Sequence, residues 1–279
     1  MLVSSATLRQ RLLEGRKLLG DGAIGTELIA LNVSPDEILL QNCVAPDRVR
    51  FLHQRYLHAG VDLITTNTFG LRQDGYWHKA VEAGVSHALQ CAQLTERPVG
   101  VMLSLISSLV PLEIDFIGEL IERHKSDIAI ILLETNTDIT QAVRAVSKLR
   151  SLWNGLIAVT SHFDVRLRML DGTSVEEAVT ILNANDVDIL GANCGDALDL
   201  FPEIASLMRQ RTRKWLLFQP GTGIKRQDRT PESVAPQDFV RVGIQLYENG
   251  ADIVGGCCGI GPRHIELLYQ TYFYSKGGR

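Results

Sequence analysis

Two cysteines stand side by side in a glycine cluster, Gly255-Gly256-Cys257-Cys258-Gly259, and a third closes the phrase Gly191-Ala192-Asn193-Cys194. Three thiolates with a fourth position open are the pattern of a catalytic zinc site, since structural sites fill all four positions with protein. Adjacent residues of a regular strand point to opposite faces. Cys257 and Cys258 therefore reach one ion only if the backbone leaves strand geometry, and the flanking glycines allow that. The same residues also fit two plainer readings, small buried apolar side chains or a redox pair. The glycine setting and the third cysteine favour the metal. Of the five cysteines, Cys43 and Cys91 fall beside and within helical stretches and read as structural. His264, six positions after the pair, reads as a helix-opening residue rather than a ligand.

Two carboxylates join the candidates. Glu134 closes the apolar run Ile128–Leu133, where it can hold an ammonium, pair with an arginine or cap a helix. Asp21 precedes Gly22 and Ala23, whose backbone N–H groups suit either a carboxylate ligand or a tight turn chosen for its shape.

These residues sit at the ends of a recurring unit. A helical stretch, a turn residue, an aspartate and an apolar run appear as Gly60-Val61-Asp62-Leu63-Ile64 and as Gly250-Ala251-Asp252-Ile253-Val254. Weaker copies are Asn185–Leu190 and Ser126–Ile130. Apolar runs begin near 18, 61, 99, 128, 156, 187, 215 and 252, with amphipathic segments such as Asp47–Ala59, Val175–Ala184 and Pro236–Glu248 between them. Short apolar runs alternating with helices predict buried parallel strands. Eight such units in 279 residues predict one (β/α)8 TIM barrel over 1–279, a fold that typically takes about 250 residues. In a barrel the chemistry lies at the C-terminal ends of the strands, where Asp21, Glu134, Cys194, Cys257 and Cys258 all fall. An open doubly wound sheet is the alternative. The segment Gly20–Gly25 only approaches its dinucleotide fingerprint.

Composition narrows the function classes. Hydrophobic residues make up 45% and charged residues 22%, with a net charge of −4 and no basic run, so no nucleic-acid partner is expected. No apolar stretch is long enough to span a membrane. Residues 1–17 carry no apolar signal core. The low cysteine density points to a reducing compartment and a cytoplasmic location.

Together these phrases resemble the homocysteine S-methyltransferase family. The matching segments are Asp21–Leu28, Thr66–Gly70, Glu134-Thr135, Gly191–Cys194 and Gly255–Ile265, in family order and over nearly the whole barrel. Asn67-Thr68-Phe69-Gly70 is most similar to the homocysteine-binding module of cobalamin-dependent methionine synthase. The resemblance implies that Cys194, Cys257 and Cys258 hold zinc. It implies that Asp21 and Glu134 hold the amino group of homocysteine, that the backbone at Gly22 and Ala23 receives its carboxylate, and that Asn193 lies either behind the groups that touch the metal or near the substrate. The expected reaction moves a methyl group from an activated donor to the homocysteine thiol, giving methionine. The alternative is a zinc- or thiol-binding barrel acting on another small thiol or lacking methyl transfer.

Two departures concern the donor side. The segment Ser104–Asp115 is shorter than the family's loop after strand three, and Pro220-Gly221-Thr222-Gly223 lacks the family's asparagine after the proline. No cobalamin domain fits in the remaining length, so a methyl-corrinoid donor is expected on a separate carrier protein.

Overall fold

In the computed structural model, which describes residues 1–70, 75–223 and 233–274, each of the eight apolar runs forms a parallel strand. Helix α1 (Ser5–Leu13) precedes β1 (Leu18–Leu19), and α2 (Ile24–Ala30), α3 (Gln41–Val44) and α4 (Pro46–His58) lead to β2 (Leu63–Thr65). Strict alternation follows: α5 (Trp77–Gln93), β3 (Gly100–Leu105), α6 (Ile114–His124), β4 (Ile128–Asn136), α7 (Ile139–Arg150) and β5 (Leu156–Ser161). Then come α8 (Val175–Asn183), β6 (Ile189–Cys194), α9 (Phe201–Arg211), β7 (Trp215–Pro220), α10 (Pro236–Glu248), β8 (Ile253–Val254) and α11 (Pro262–Leu268).

The strands pair in the order β1-β8-β7-β6-β5-β4-β3-β2. Backbone bonds across β1 and β2 close the ring: Asp62 N–H donates to Leu19 O at 2.8 Å and Asp21 N–H to Leu63 O at 3.1 Å. The result is a (β/α)8 barrel, as the repeat count predicts.

The aspartate of the recurring phrase has a structural job. Asp62 accepts from Leu19 N at 2.8 Å, Asp188 from Ile157 N at 2.9 Å and Asp252 from Leu216 N at 2.9 Å. Each carboxylate thus reaches across to the amide of an adjacent strand at the base of the barrel. Cations neutralise them. Asp188 pairs with Arg9 at 2.9 Å and with Arg150, and Asp252 with Lys17 at 3.2 Å.

Inside the barrel the lower layers are apolar. Leu18, Leu63, Met102, Leu132, Ala158, Leu217 and Ile253 fill them, and Leu8 and Leu12 of α1 plug the base. Further along the same inward faces, by the period-two alternation of strands, the side chains turn polar: Thr65, Ser104, Glu134, Thr160, Asn193 and Gln219. Among the described residues no helix is long and apolar enough to cross a membrane.

Candidate metal and substrate site

The three cysteines meet at the rim where the strands end. Cys194 closes β6, and Cys257 and Cys258 lie just past β8, which stops at Val254. Their sulfurs all lie within 4.8 Å of one another, with 3.8 Å from Cys194 Sγ to Cys258 Sγ and 4.0 Å from Cys257 Sγ to Cys258 Sγ. A tetrahedral zinc with bonds of about 2.3 Å spaces its sulfurs about 3.8 Å apart, so the cluster fits that ion. Among the described residues it is the one group of three His, Cys, Asp or Glu side chains close enough to share a cation. Cys258 is the sulfur that ionises most readily. The neighbouring Cys194 and Cys257 thiols hydrogen-bond to it and pull its pKa down.

The backbone leaves strand geometry on both sides, as the sequence requires. Cys194 has φ +63° and Gly195 φ +75°, two successive left-handed residues that swing the chain out of β6. After β8, Cys257 N–H donates to Pro220 O at 2.9 Å and Thr222 N–H to Cys258 O at 3.0 Å, tying the pair to the end of β7. Gly221 has a reason to be glycine here. Its amide donates to Cys194 O at 2.7 Å, and a Cβ at that position would stand 2.6 Å from the same oxygen. The asparagine missing from the phrase has no room on this backbone.

Glu134 and Asp21 take their places on the same rim. Glu134 is half-buried at the end of β4, where Ser104 Oγ donates to one carboxyl oxygen and Asn193 Nδ2 to the other at 3.3 Å. Asn193 itself accepts from Thr135 N at 2.8 Å and has its Nδ2 3.9 Å from Cys257 Sγ. Asp21 is fully buried and accepts from Thr65 N and Thr65 Oγ1, both at 2.7 Å. Burial pushes both carboxyl pKa values up to about 7, against the pull of these hydrogen bonds, and each raises the demand for a cation. Neither is ion-paired among the described residues.

Of the two amides read as a carboxylate cradle, that of Ala23 donates to Ile260 O at 3.0 Å. The Gly22 amide has no acceptor among the described residues. His264 opens α11, where its Nδ1 accepts from Gly261 N at 3.2 Å. Cys91 is buried on α5 and Cys43 lies on α3, away from the cluster.

Sequence reasoning missed the groups that hold the carboxylates. Ser104 is the polar residue within the otherwise apolar run Gly100–Leu105, and that interruption is the signal that marks it. Thr65 carries no comparable signal, because it stands in a run of polar residues.

An eight-fold barrel with a three-cysteine cluster at the C-terminal ends of its strands defines a narrow class of protein. The chain belongs to the homocysteine S-methyltransferase family, which it matches over residues 18–272. It is 26% identical over 290 residues to methionine synthase of Mycobacterium tuberculosis, covering 91% of this chain and 24% of that protein. The chain therefore spans about a quarter of that relative's length. It is 26% identical over 261 residues to the S-methylmethionine–homocysteine S-methyltransferase BHMT2 of Mus musculus, covering 83% of this chain and 71% of that one. Its fold matches the metallated form of the homocysteine methyltransferase MmuM of Escherichia coli, with a TM-score of 0.76 at 20% identity over 94% of this chain and 98% of that one.

Proposed function

We propose that this chain is a zinc-dependent methyltransferase that moves a methyl group from an activated donor to the thiol of homocysteine, giving methionine. The observation that carries the reading is one rim bearing both three clustered thiols and two carboxyls, Asp21 fully buried and Glu134 half-buried, without a cationic partner among the described residues. Such a rim matches the two ends of a thiol amino acid. Cys194, Cys257 and Cys258 would hold the metal at the thiol end. Asp21 and Glu134 would receive the ammonium, and the Gly22 amide, which has no acceptor among the described residues, would meet the carboxylate beside Ala23. Asn193 joins the two ends through its contacts with Glu134 and Cys257.

Bound zinc supplies a lowered thiol pKa, so that the acceptor sulfur is a nucleophile at neutral pH. In the transfer a carbon–sulfur bond forms, the bond from the methyl carbon to the donor breaks, and the donor keeps that electron pair. The acceptor's thiol proton leaves to solvent. The chain's own task is alignment, since in-line transfer needs reacting atoms about 3–3.5 Å apart.

The donor we propose is a methyl-corrinoid on a separate carrier protein. One observation supports it: the connection from β3 to α6 covers only residues 106–113, which gives little lid over a small donor. A second reading, another thiol or a selenol as acceptor, is favoured by a relative named selenocysteine methyltransferase, from Astragalus bisulcatus, 23% identical over 313 residues. Methionine formation from homocysteine, measured across betaine, S-methylmethionine and a methylated corrinoid protein, tests both. Turnover with the corrinoid protein and none after metal removal is expected. Ordinary rates with a free small donor and none with the carrier would reject the donor assignment.

A further inference from the structure

His162 follows β5 directly, on the strand beside the one that Cys194 ends. Its ring Nδ1 stands 3.1 Å from the backbone N–H of Gly195, the residue after Cys194. Its Nε2 stands 3.5 Å from Asp196 Oδ1. A backbone amide can only donate, so Nδ1 is the acceptor and the ring proton sits on Nε2, facing Asp196. The imidazole is thus used at both nitrogens and is not among the residues gathered around the sulfurs.

The contact falls where the backbone is strained. Cys194, a residue with a Cβ, holds φ +63°, a conformation that persists only when its surroundings impose it. The turn is held from both sides. Gly221 N–H binds the Cys194 carbonyl at 2.7 Å, and His162 takes the next amide, that of Gly195. The same turn sets the Cys194 sulfur 3.8 Å from that of Cys258.

We propose that His162 is a positioning residue for the metal site. It fixes the left-handed turn that presents Cys194, and it acts through the Gly195 amide rather than as a ligand. This rests on the reading of the three cysteines as the zinc site.

Three substitutions test it, read by chelator competition for zinc and by melting of the metal-stripped protein. His162→Asn keeps an oxygen near the place of Nδ1, and its zinc affinity is expected to stay close to wild type. His162→Gln carries its oxygen to the place of Nε2 instead, and His162→Leu has none. Both are expected to bind zinc about 10–100-fold more weakly, the usual cost of losing a group that orients a ligand. The metal-stripped melting temperatures are expected to agree among wild type, Asn and Gln. Wild-type zinc affinity in His162→Gln, or equal losses in Asn and Gln, would overturn the role of His162 alone. Wild-type protein that binds no zinc would overturn the metal reading and this role together.

Discussion

The amide nitrogen of Asn193 lies 3.3 Å from a carboxyl oxygen of Glu134 and so couples the end of β6 to the end of β4. The same nitrogen is 3.9 Å from Cys257 Sγ, so one side chain touches both the acidic and the thiol halves of the rim. Asn193→Ala should therefore weaken both homocysteine and zinc binding. Each loss should be about 1–2 kcal/mol, the scale of one buried hydrogen bond left unmade. Titration calorimetry with each ligand in turn checks it, and an effect on one ligand alone would break the coupling.

Glu134→Ala should separate the halves. The carboxylate accepts from Ser104 and Asn193, not from any cysteine. Homocysteine affinity should fall by about 1.5–3 kcal/mol, the range for a hydrogen bond to a charged group. Zinc content should hold. Loss of zinc in this variant would make Glu134 part of the metal site.

The double variant Cys257→Ala/Cys258→Ala removes two of the three clustered sulfurs. Wild-type protein should carry about one equivalent of zinc, and the double variant almost none, by metal analysis of the reduced proteins. Full occupancy in the variant would contradict the ligand assignment.

Asp21 gives opposite pH slopes to stability and to binding. Burial raises its folded pKa to about 7, whereas in the unfolded chain it titrates near 4. Between those values the folded protein holds the proton and the unfolded chain does not. The stabilisation is present at the acid end and is lost as pH rises through 7. Homocysteine's ammonium wants the charged carboxylate, so affinity should rise over the same interval. Asp21→Asn should remove this part of both slopes. Melting temperatures and homocysteine affinity at pH 5.5 and 8 measure them, and parallel curves for variant and wild type would refute the role.

Asp188→Ala should cost stability without touching the site. It leaves Arg150 without its carboxylate and Ile157 N–H without its acceptor. Breaking such a largely buried pair costs about 3 kcal/mol or more. Denaturant unfolding should show that loss, with zinc affinity unchanged.

Much of this arrangement is legible in the chain. Strands and helices announce themselves because a buried parallel strand is a short apolar run, and its aspartate marks the start. The cysteines are legible because glycines crowd around Cys257 and Cys258. The supports are harder to see. Ser104 meets Glu134 across 30 positions and His162 meets Gly195 across 33, through contacts fixed only when β3, β4, β5 and β6 are in register. The use of the Ala23 amide depends on Ile260, which the closing of β8 onto β1 brings near. A local reading of residues 20–25 contains none of that information.

Asp62, Asp188 and Asp252 latch neighbouring strands at the base, while the sulfurs and carboxyls of the site stand at the other end of the same strands. The two ends are therefore open to different kinds of change. Residues at the base answer to folding, and a replacement there is felt by the whole barrel. Connections at the rim, including the one at 106–113, carry none of these latches, so a change there leaves the frame beneath intact. On the proposed function, the choice of methyl source can therefore be rewritten in a loop without rebuilding the vessel that holds the acceptor.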